Sequence, residues 1–295
     1  MTSCSREQRE RGGPLLGSAP RMDALVLVGC RRPWDARVHR SAGFPAGLEG
    51  ALEAARKASG RAWKLLATPA APGAPGPAEL RFYHRDPEGG TWLSRLTWRG
   101  PEALEEDLRA AAPRPAPPLL LVCTHGSRDR CCGALGHPLF RAAREAAPAD
   151  WEVLECSHLG GHRFAPTLVA LPSWRCYGSL ELSEVPALLA HLEAGTVLRG
   201  RHRGALWLPG PAQVAEGAAW EHLEPPPGVV EVLRLEGADG LYEASLRVRG
   251  GAGPEARYRV RFERREVPGH ASCSELAEPT PGLLEEFHLL GFAPE

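Results

Sequence analysis

Short apolar runs punctuated by proline and glycine set the rhythm of the first two hundred residues. Ala24 to Cys30 (ALVLVGC) and Leu119 to Cys123 (LLLVC) read as strands. Behind the first run the pattern predicts a helix near Gly47 to Ala58, strands near Trp63 to Thr68, Leu80 to His84 and Thr91 to Trp98, and a helix near Pro101 to Ala112. Behind the second it predicts a helix near His137 to Ala147, strands at Trp151 to Cys156, Thr167 to Leu171 and around Tyr177, and a helix from Glu184 to Glu193. The order βαβββα thus occurs twice, which reads as an internal duplication carried by order and spacing.

The last hundred residues follow a different pattern, with a helix near Pro211 to His222 and then three runs of alternation. In Ala256 to Glu263, Tyr258, Val260 and Phe262 share one face while Arg257, Arg259 and Arg261 share the other, as in a half-buried antiparallel sheet. The arginine row reads as a solvated face interleaved with acids such as Glu243 and Glu263, with a docking surface as the rival reading. Proline-rich joints at Pro69 to Pro77, Pro113 to Pro118 and Pro225 to Pro227 cannot hold a regular helix or central strand. The expected organisation is an amino-terminal arm (1–22), an α/β half (23–113), a second α/β half (114–198) and a small α+β unit (199–295).

Composition narrows the functional classes. With 43% hydrophobic and 24% charged residues the chain has the make-up of a soluble globular protein. Lys plus Arg (35) against Asp plus Glu (36) leave a net charge of -1, which argues against a dedicated nucleic-acid binder. No run reaches the roughly 18 apolar residues that span a bilayer, and residues 1 to 22 lack the apolar core of a signal peptide. The expected compartment is the cytoplasm, with no membrane partner. There, eight cysteines point to free thiols, metal ligands or redox groups more than to a disulfide framework.

Two segments concentrate that chemistry: CTHGSRDRCCG, from Cys123 to Gly133, and CSHLGGHRFAP, from Cys156 to Pro166. The first puts thiols at both ends of a loop between a strand and a helix, which is also how a thioredoxin-like half begins. The second sets two imidazoles around a Gly-Gly pair that disfavours a continuous helix. Two soft thiolates and two imidazoles suit zinc or an iron-sulfur cluster. Zinc knuckles more usually use C-x2-C or C-x4-C, whereas the C-x8-C loop from Cys123 to Cys132 is wide enough to pass around a two-iron core, and so leans towards the cluster.

CTHGSRDRCCG and SHLGGHRFAPTLVALP followed by Tyr177-Gly178, and more loosely GGPLLGSAP near the amino terminus, resemble the sucrase/ferredoxin-like family. The resemblance covers roughly residues 1 to 200. It implies a thioredoxin-like ferredoxin half with a 2Fe-2S cluster held by Cys123, Cys132, His158 and His162. Cys131, beside the second thiol, is the competing ligand. The implied function is one-electron transfer or redox sensing with a partner protein, a reductase or an acceptor. No paired carboxylates stand out as those of a glycosidase, so a sucrase is not expected despite the family's name. The rivals are a thiol redox protein using Cys123 or the Cys131-Cys132 pair, for which the C-x-x-C motif is absent, and a structural zinc module.

Around the four ligands, His125 is expected to hydrogen-bond within the loop, and Asp129 either to orient an imidazole or to cap the following helix. Arg128 and Arg163 either offset sulfide charge or are simply solvated. Cys30, Cys156, Cys176 and Cys273 read as packing residues, and Cys4 as part of a mobile arm.

Overall fold

A computed structural model describes residues 3–70, 78–250 and 255–295; positions 71–77 of the first proline-rich joint lie outside the described residues. The chain opens with helix α1 (Cys4–Arg11), whose N-cap Ser3 accepts the Arg6 N–H at 3.2 Å. The first half then runs β1 (Ala24–Cys30), α2 (Leu48–Ser59), β2 (Trp63–Pro69), β3 (Glu79–Arg85), β4 (Thr91–Thr97), α3 (Leu104–Ala110) and the two-residue edge strand β5 (Arg114–Pro115). The second half runs β6 (Leu119–Cys123), α4 (Arg130–Ala146), β7 (Glu152–Cys156), β8 (Thr167–Leu171), β9 (Arg175–Gly178) and α5 (Val185–Glu193). Beyond it come β10 (His202–Ala205), α6 (Gly210–His222), and the strands β11 (Val229–Ala238), β12 (Leu241–Arg249), β13 (Ala256–Gly269) and β14 (Gly282–Pro294).

The two halves share one wiring. Their sheets are ordered β2-β1-β3-β4-β5 and β10-β9-β8-β6-β7. In each, the first strand pairs in parallel with the second and antiparallel with the third, and the third pairs antiparallel with the fourth. A parallel β-α-β crossover followed by an antiparallel hairpin is the thioredoxin-like arrangement, here present twice in an α/β fold. The second sheet also takes in β10, from beyond residue 198, where the sequence reading placed the start of the carboxy-terminal unit.

Side-chain alternation sorts the apolar runs into layers. Leu25 and Leu27 of β1, and Leu119, Leu121 and Cys123 of β6, enter one core shared by the two sheets. The intervening Val26 and Val28 pack towards α2 and α3, while Leu120 and Val122 pack with residues of α4 and α5. The sheets therefore meet on their inner faces and carry their helices outside. Polar contacts cross the seam: Ser157 and Ala67 exchange hydrogen bonds of 2.8 and 2.9 Å, and the buried Trp174 indole donates to Thr91 Oγ1 at 2.8 Å.

The carboxy-terminal unit is a meander of four strands, one more than the alternation predicted, ordered β11-β12-β13-β14. Val260 and Phe262 are buried against α6, whereas Arg257, Arg259 and Arg261 are exposed. Two further expectations fail. Helix α4 begins at Arg130, seven residues before His137, because Asp129 caps it there and Pro138 is accommodated inside it. Cys4 is not in a mobile arm: it lies in α1 and is 1% exposed. Among the described residues no helix is long and apolar enough to cross a membrane.

Candidate metal centre

Strand β6 delivers Cys123 at its carboxy-terminal end, and the loop 124–129 returns the chain to the start of α4. Asp129 fixes that start, its Oδ1 accepting the Cys131 N–H at 2.9 Å. Cys132 thereby falls in the first turn, with its N–H bonded to the Asp129 carbonyl at 3.0 Å. Close approach of α4 to β6 depends on Gly136, since a Cβ there would lie 2.0 Å from the Cys123 carbonyl oxygen.

The imidazoles arrive on the loop after β7. Gly160 and Gly161 adopt φ of 111° and 68°, a left-handed turn open to glycine that reverses the chain between His158 and His162. Arg203, 1% exposed, clamps this turn by donating to the Gly160 carbonyl at 3.0 Å and to the Ser18 carbonyl. A Cβ on Gly161 would meet its guanidinium at 2.2 Å.

The structure brings Cys123, Cys132 and His158 together, with one donor atom from each lying within 4.8 Å of the others. His162 is the neighbour of this trio, its ring centroid 4.9 Å from that of His158. It is outside the trio's common sphere, and a two-metal core spreads its ligands more widely than a single ion does. The Nδ1 atoms of both His158 and His162 are buried without a hydrogen-bond partner. Nδ1 of His162 approaches Asp129 Oδ2 to 3.3 Å, off the hydrogen-bonding direction. Two buried thiols beside two orphaned imidazole nitrogens are a donor set that fits an iron-sulfur cluster or zinc.

Electrostatics prepare one thiolate. A hydrogen bond from the Cys132 thiol, with a further one from His158, holds Cys123 well below the usual thiol range against the opposing effect of burial. Cys132, the donor, is correspondingly pushed up. Burial lowers His162.

The remaining expected residues take distinct places. His125 is committed at both nitrogens, Nε2 donating to the Asp35 carbonyl at 2.9 Å and Nδ1 accepting the His158 N–H at 3.2 Å, so it holds the His158 backbone in place. Asp129 both caps α4 and, through Oδ2, accepts the Cys273 N–H at 2.8 Å. Arg128 is exposed at the loop tip. Arg163 turns to the carboxy-terminal sheet, donating to the Glu285 carbonyl at 3.0 Å and lying 4.7 Å from the Phe164 ring centre. Cys131 faces away from Cys123 and instead meets Cys4 and Cys273. Cys273 is thus not an isolated packing residue; its partners were hidden by separations of 142 and 269 residues. Cys30, Cys156 and Cys176 are fully buried.

Sequence reasoning missed two groups beside the site. One is the positioning residue Arg203. The other is Lys64 on β2, a half-buried cation pushed down by desolvation and drawn up by the nearby Cys123 and Cys156 thiols. Its one trace in the sequence was rarity, as one of two lysines in the chain.

Comparison with known proteins adds a family. Residues 97 long in alignment are 30% identical to altered inheritance of mitochondria protein 32 of Meyerozyma guilliermondii, covering 29% of this chain and 34% of that protein. The chain thus spans about a third of the length of this curated relative. A thioredoxin-like 2Fe-2S ferredoxin from Aquifex aeolicus aligns over 29% of this chain and 88% of its own, at 17% identity and a TM-score of 0.26. Two single-site variants of that ferredoxin align with the same identity and TM-score over 96% of their length. The family model described as sucrase/ferredoxin-like matches residues 15–204, well over half of the 295, and the chain belongs to that family.

Proposed function

We propose that the chain is a one-electron carrier or redox sensor whose Cys123, Cys132, His158 and His162 hold a 2Fe-2S cluster. The observation that carries this reading is the buried trio Cys123, Cys132 and His158 beside His162, with both imidazole Nδ1 atoms orphaned. When bound, such a group supplies a one-electron couple, and imidazole in place of thiolate raises its potential; Rieske centres reach about -150 to +300 mV against about -400 mV for plant-type ferredoxins.

The chain's own side chains do the rest. Cys123 and Cys132, 1% exposed each, exclude water from the thiolate side. His125 and Arg203 fix the backbone of the imidazole loop. The His162 side chain is 15% exposed and lines a cavity of about 300 Å³ with Gly17, Ser18 and Glu286, which gives its ring a route for exchanging a proton with solvent. Proton uptake there on reduction makes the potential fall with rising pH, by about 59 mV per unit for one proton per electron. Electrons pass to a partner protein over the same face, where His158 and His162 are the more exposed of the four ligands.

Anaerobically purified protein tests the reading through its visible and paramagnetic resonance spectra with iron and sulfide analysis. The expected result is two irons and two sulfides per chain, lost in Cys132→Ser. Zinc without sulfide in this site, or a Cys123–Cys132 disulfide that cycles with thiols, rejects the cluster. A potential that stays flat from mildly acidic to strongly alkaline pH rejects the proton coupling alone.

A further inference from the structure

A second group of thiols lies on the opposite side of the same helix turn. Adjacent residues on a helix point about 100° apart, so while Cys132 turns to Cys123, Cys131 turns outward to α1 and the loop joining β13 to β14. Its Sγ lies 3.0 Å from that of Cys273 and 3.5 Å from that of Cys4, and the last two are 3.6 Å apart. An Asp129 carboxylate oxygen completes a set of four donors all within 4.8 Å of one another. Cys4, Cys131 and Asp129 are 1%, 2% and 5% exposed.

Packing alone accounts poorly for this cluster. Thiols are weak hydrogen-bonding groups, and the Asp129 carboxylate beside them, which caps α4 and accepts the Cys273 N–H, keeps acceptor capacity to spare. The Ser5 hydroxyl donates to Cys131 Sγ at 3.2 Å, treating that sulfur as an acceptor. Nor does a disulfide satisfy the set, since it would join two sulfurs at about 2.05 Å and strand the third.

We propose that Cys4, Cys131 and Cys273, with Asp129 as fourth ligand, form a structural zinc site separate from the cluster site. Tetrahedral zinc with Zn–S bonds of about 2.3 Å sets its sulfurs about 3.8 Å apart, so the thiols need open by only a few tenths of an ångström to rather less than one. The Asp129 oxygens each accept one backbone N–H and retain a lone pair for a metal. Bound there, zinc ties three separated segments to one point: α1, the start of α4 and the β13–β14 loop. It also holds the carboxylate that borders His162. The two adjacent cysteines then have separate duties, one for each metal.

Metal analysis of the full chain purified anaerobically from medium containing iron and zinc tests this. Wild-type protein is expected to hold one zinc per chain. Cys123→Ser should lose iron and keep that zinc, while Cys4→Ser and Cys273→Ser should lose the zinc and keep the visible spectrum of the cluster. Cobalt(II) exchanged into Cys123→Ser should give thiolate charge-transfer and tetrahedral ligand-field bands, a readout that stands even if the Cys4 and Cys273 variants fail to fold. Were the first site to hold zinc instead of iron, wild type would carry two zincs and Cys123→Ser and Cys273→Ser one each, which supports the second site while rejecting the cluster. Wild-type protein lacking stoichiometric zinc, with no cobalt bands, overturns the proposal, as does a Cys131–Cys273 disulfide in a peptide map of natively alkylated protein.

Discussion

Two helical glycines should respond in opposite ways to the same added methyl group. Gly50, exposed in the first turn of α2, has nothing within 4 Å of the position a Cβ would take. Gly50→Ala should therefore gain helix propensity alone and stabilise by about 0.5–1 kcal/mol. Gly136 in α4 is different, because its Cβ would stand 2.0 Å from the Cys123 carbonyl oxygen and 3.3 Å from the Thr124 Cα. Even short C···O contacts are about 3.3 Å, so helix and strand must separate by roughly 1.3 Å. Both partners are backbone and cannot rotate aside. The overpacking penalty of about 1–3 kcal/mol should fall at its upper end and exceed the propensity gain, leaving Gly136→Ala about 1–2 kcal/mol less stable. Denaturant unfolding of the pair measures the sign directly. Because the displaced group is the backbone of Cys123, Gly136→Ala should also perturb the metal-centre spectrum while Gly50→Ala leaves it alone. Equal stabilisation by both substitutions would refute the close approach on which the site's geometry rests.

The other predictions concern single contacts. Cys132→Ser should abolish the cluster spectrum and Cys131→Ser should preserve it, since the two side chains face different donor sets; the reverse result would exchange their roles. Glu216→Ala should destabilise by about 3–5 kcal/mol in denaturant titration, because it leaves the Arg175 guanidinium, 2.6 Å away and 9% exposed, without its counter-charge, and Glu216→Gln should cost less by keeping hydrogen bonds. Burial works to raise the Asp129 carboxyl, yet the N–H groups of Cys273 and Cys131 and the nearby His162 hold it below the usual range. A depressed carboxylate contributes stability above its unfolded value of about 3.9 that is lost as pH falls through the folded value. Acid unfolding between about pH 5 and pH 2 should accordingly be shallower in Asp129→Asn than in wild type.

What the sequence made legible was the part carried by short range. LLLVC and ALVLVGC are continuous apolar runs, and strand formation followed from them alone. The repeated wiring was readable as order and spacing, and the sheets reproduce it. The helix expected near His137 omits the first two turns of α4, which carry Gly133 and Gly136, two residues of poor helix propensity. In the structure both glycines serve close approach, Gly133 to Gly126 and Gly136 to Cys123, and one Asp129 cap outweighs the poor propensity. The ligand candidates were visible as two local motifs, but nothing local in Cys4 or Cys273 announces a contact across 127 or 142 residues with Cys131. Arg203 and Lys64 were illegible for the same reason: only the fold sets what lies beside them.

The duplicated halves explain why one site is built from two copies of a fold. β1 ends in Cys30 where β6 ends in Cys123, so each copy offers a thiol at the same topological position. Cys30, however, has no donor partners among the described residues, and burial raises it to about 11, the behaviour of an inert packing thiol. The loop that follows it has another use. Its Asp35 carbonyl accepts from His125, its Trp34 carbonyl accepts from Ser127 at 2.5 Å, and Arg32 bridges Thr124 and Glu155 at 3.0 and 2.9 Å. Every one of those partners lies in the metal-site loop or on the strand beside it. The first half thus braces the second from the loop that follows Cys30. A loop that must hold Cys123 and Cys132 in fixed relation gains from that support, because each bracing bond limits the spread of geometries the thiols can sample. The arrangement also fits the shared core: packing the two sheets on their inner faces brings the ends of β1 and β6 together, so the loop after β1 lies where it can brace the loop that carries the thiol and imidazole cluster.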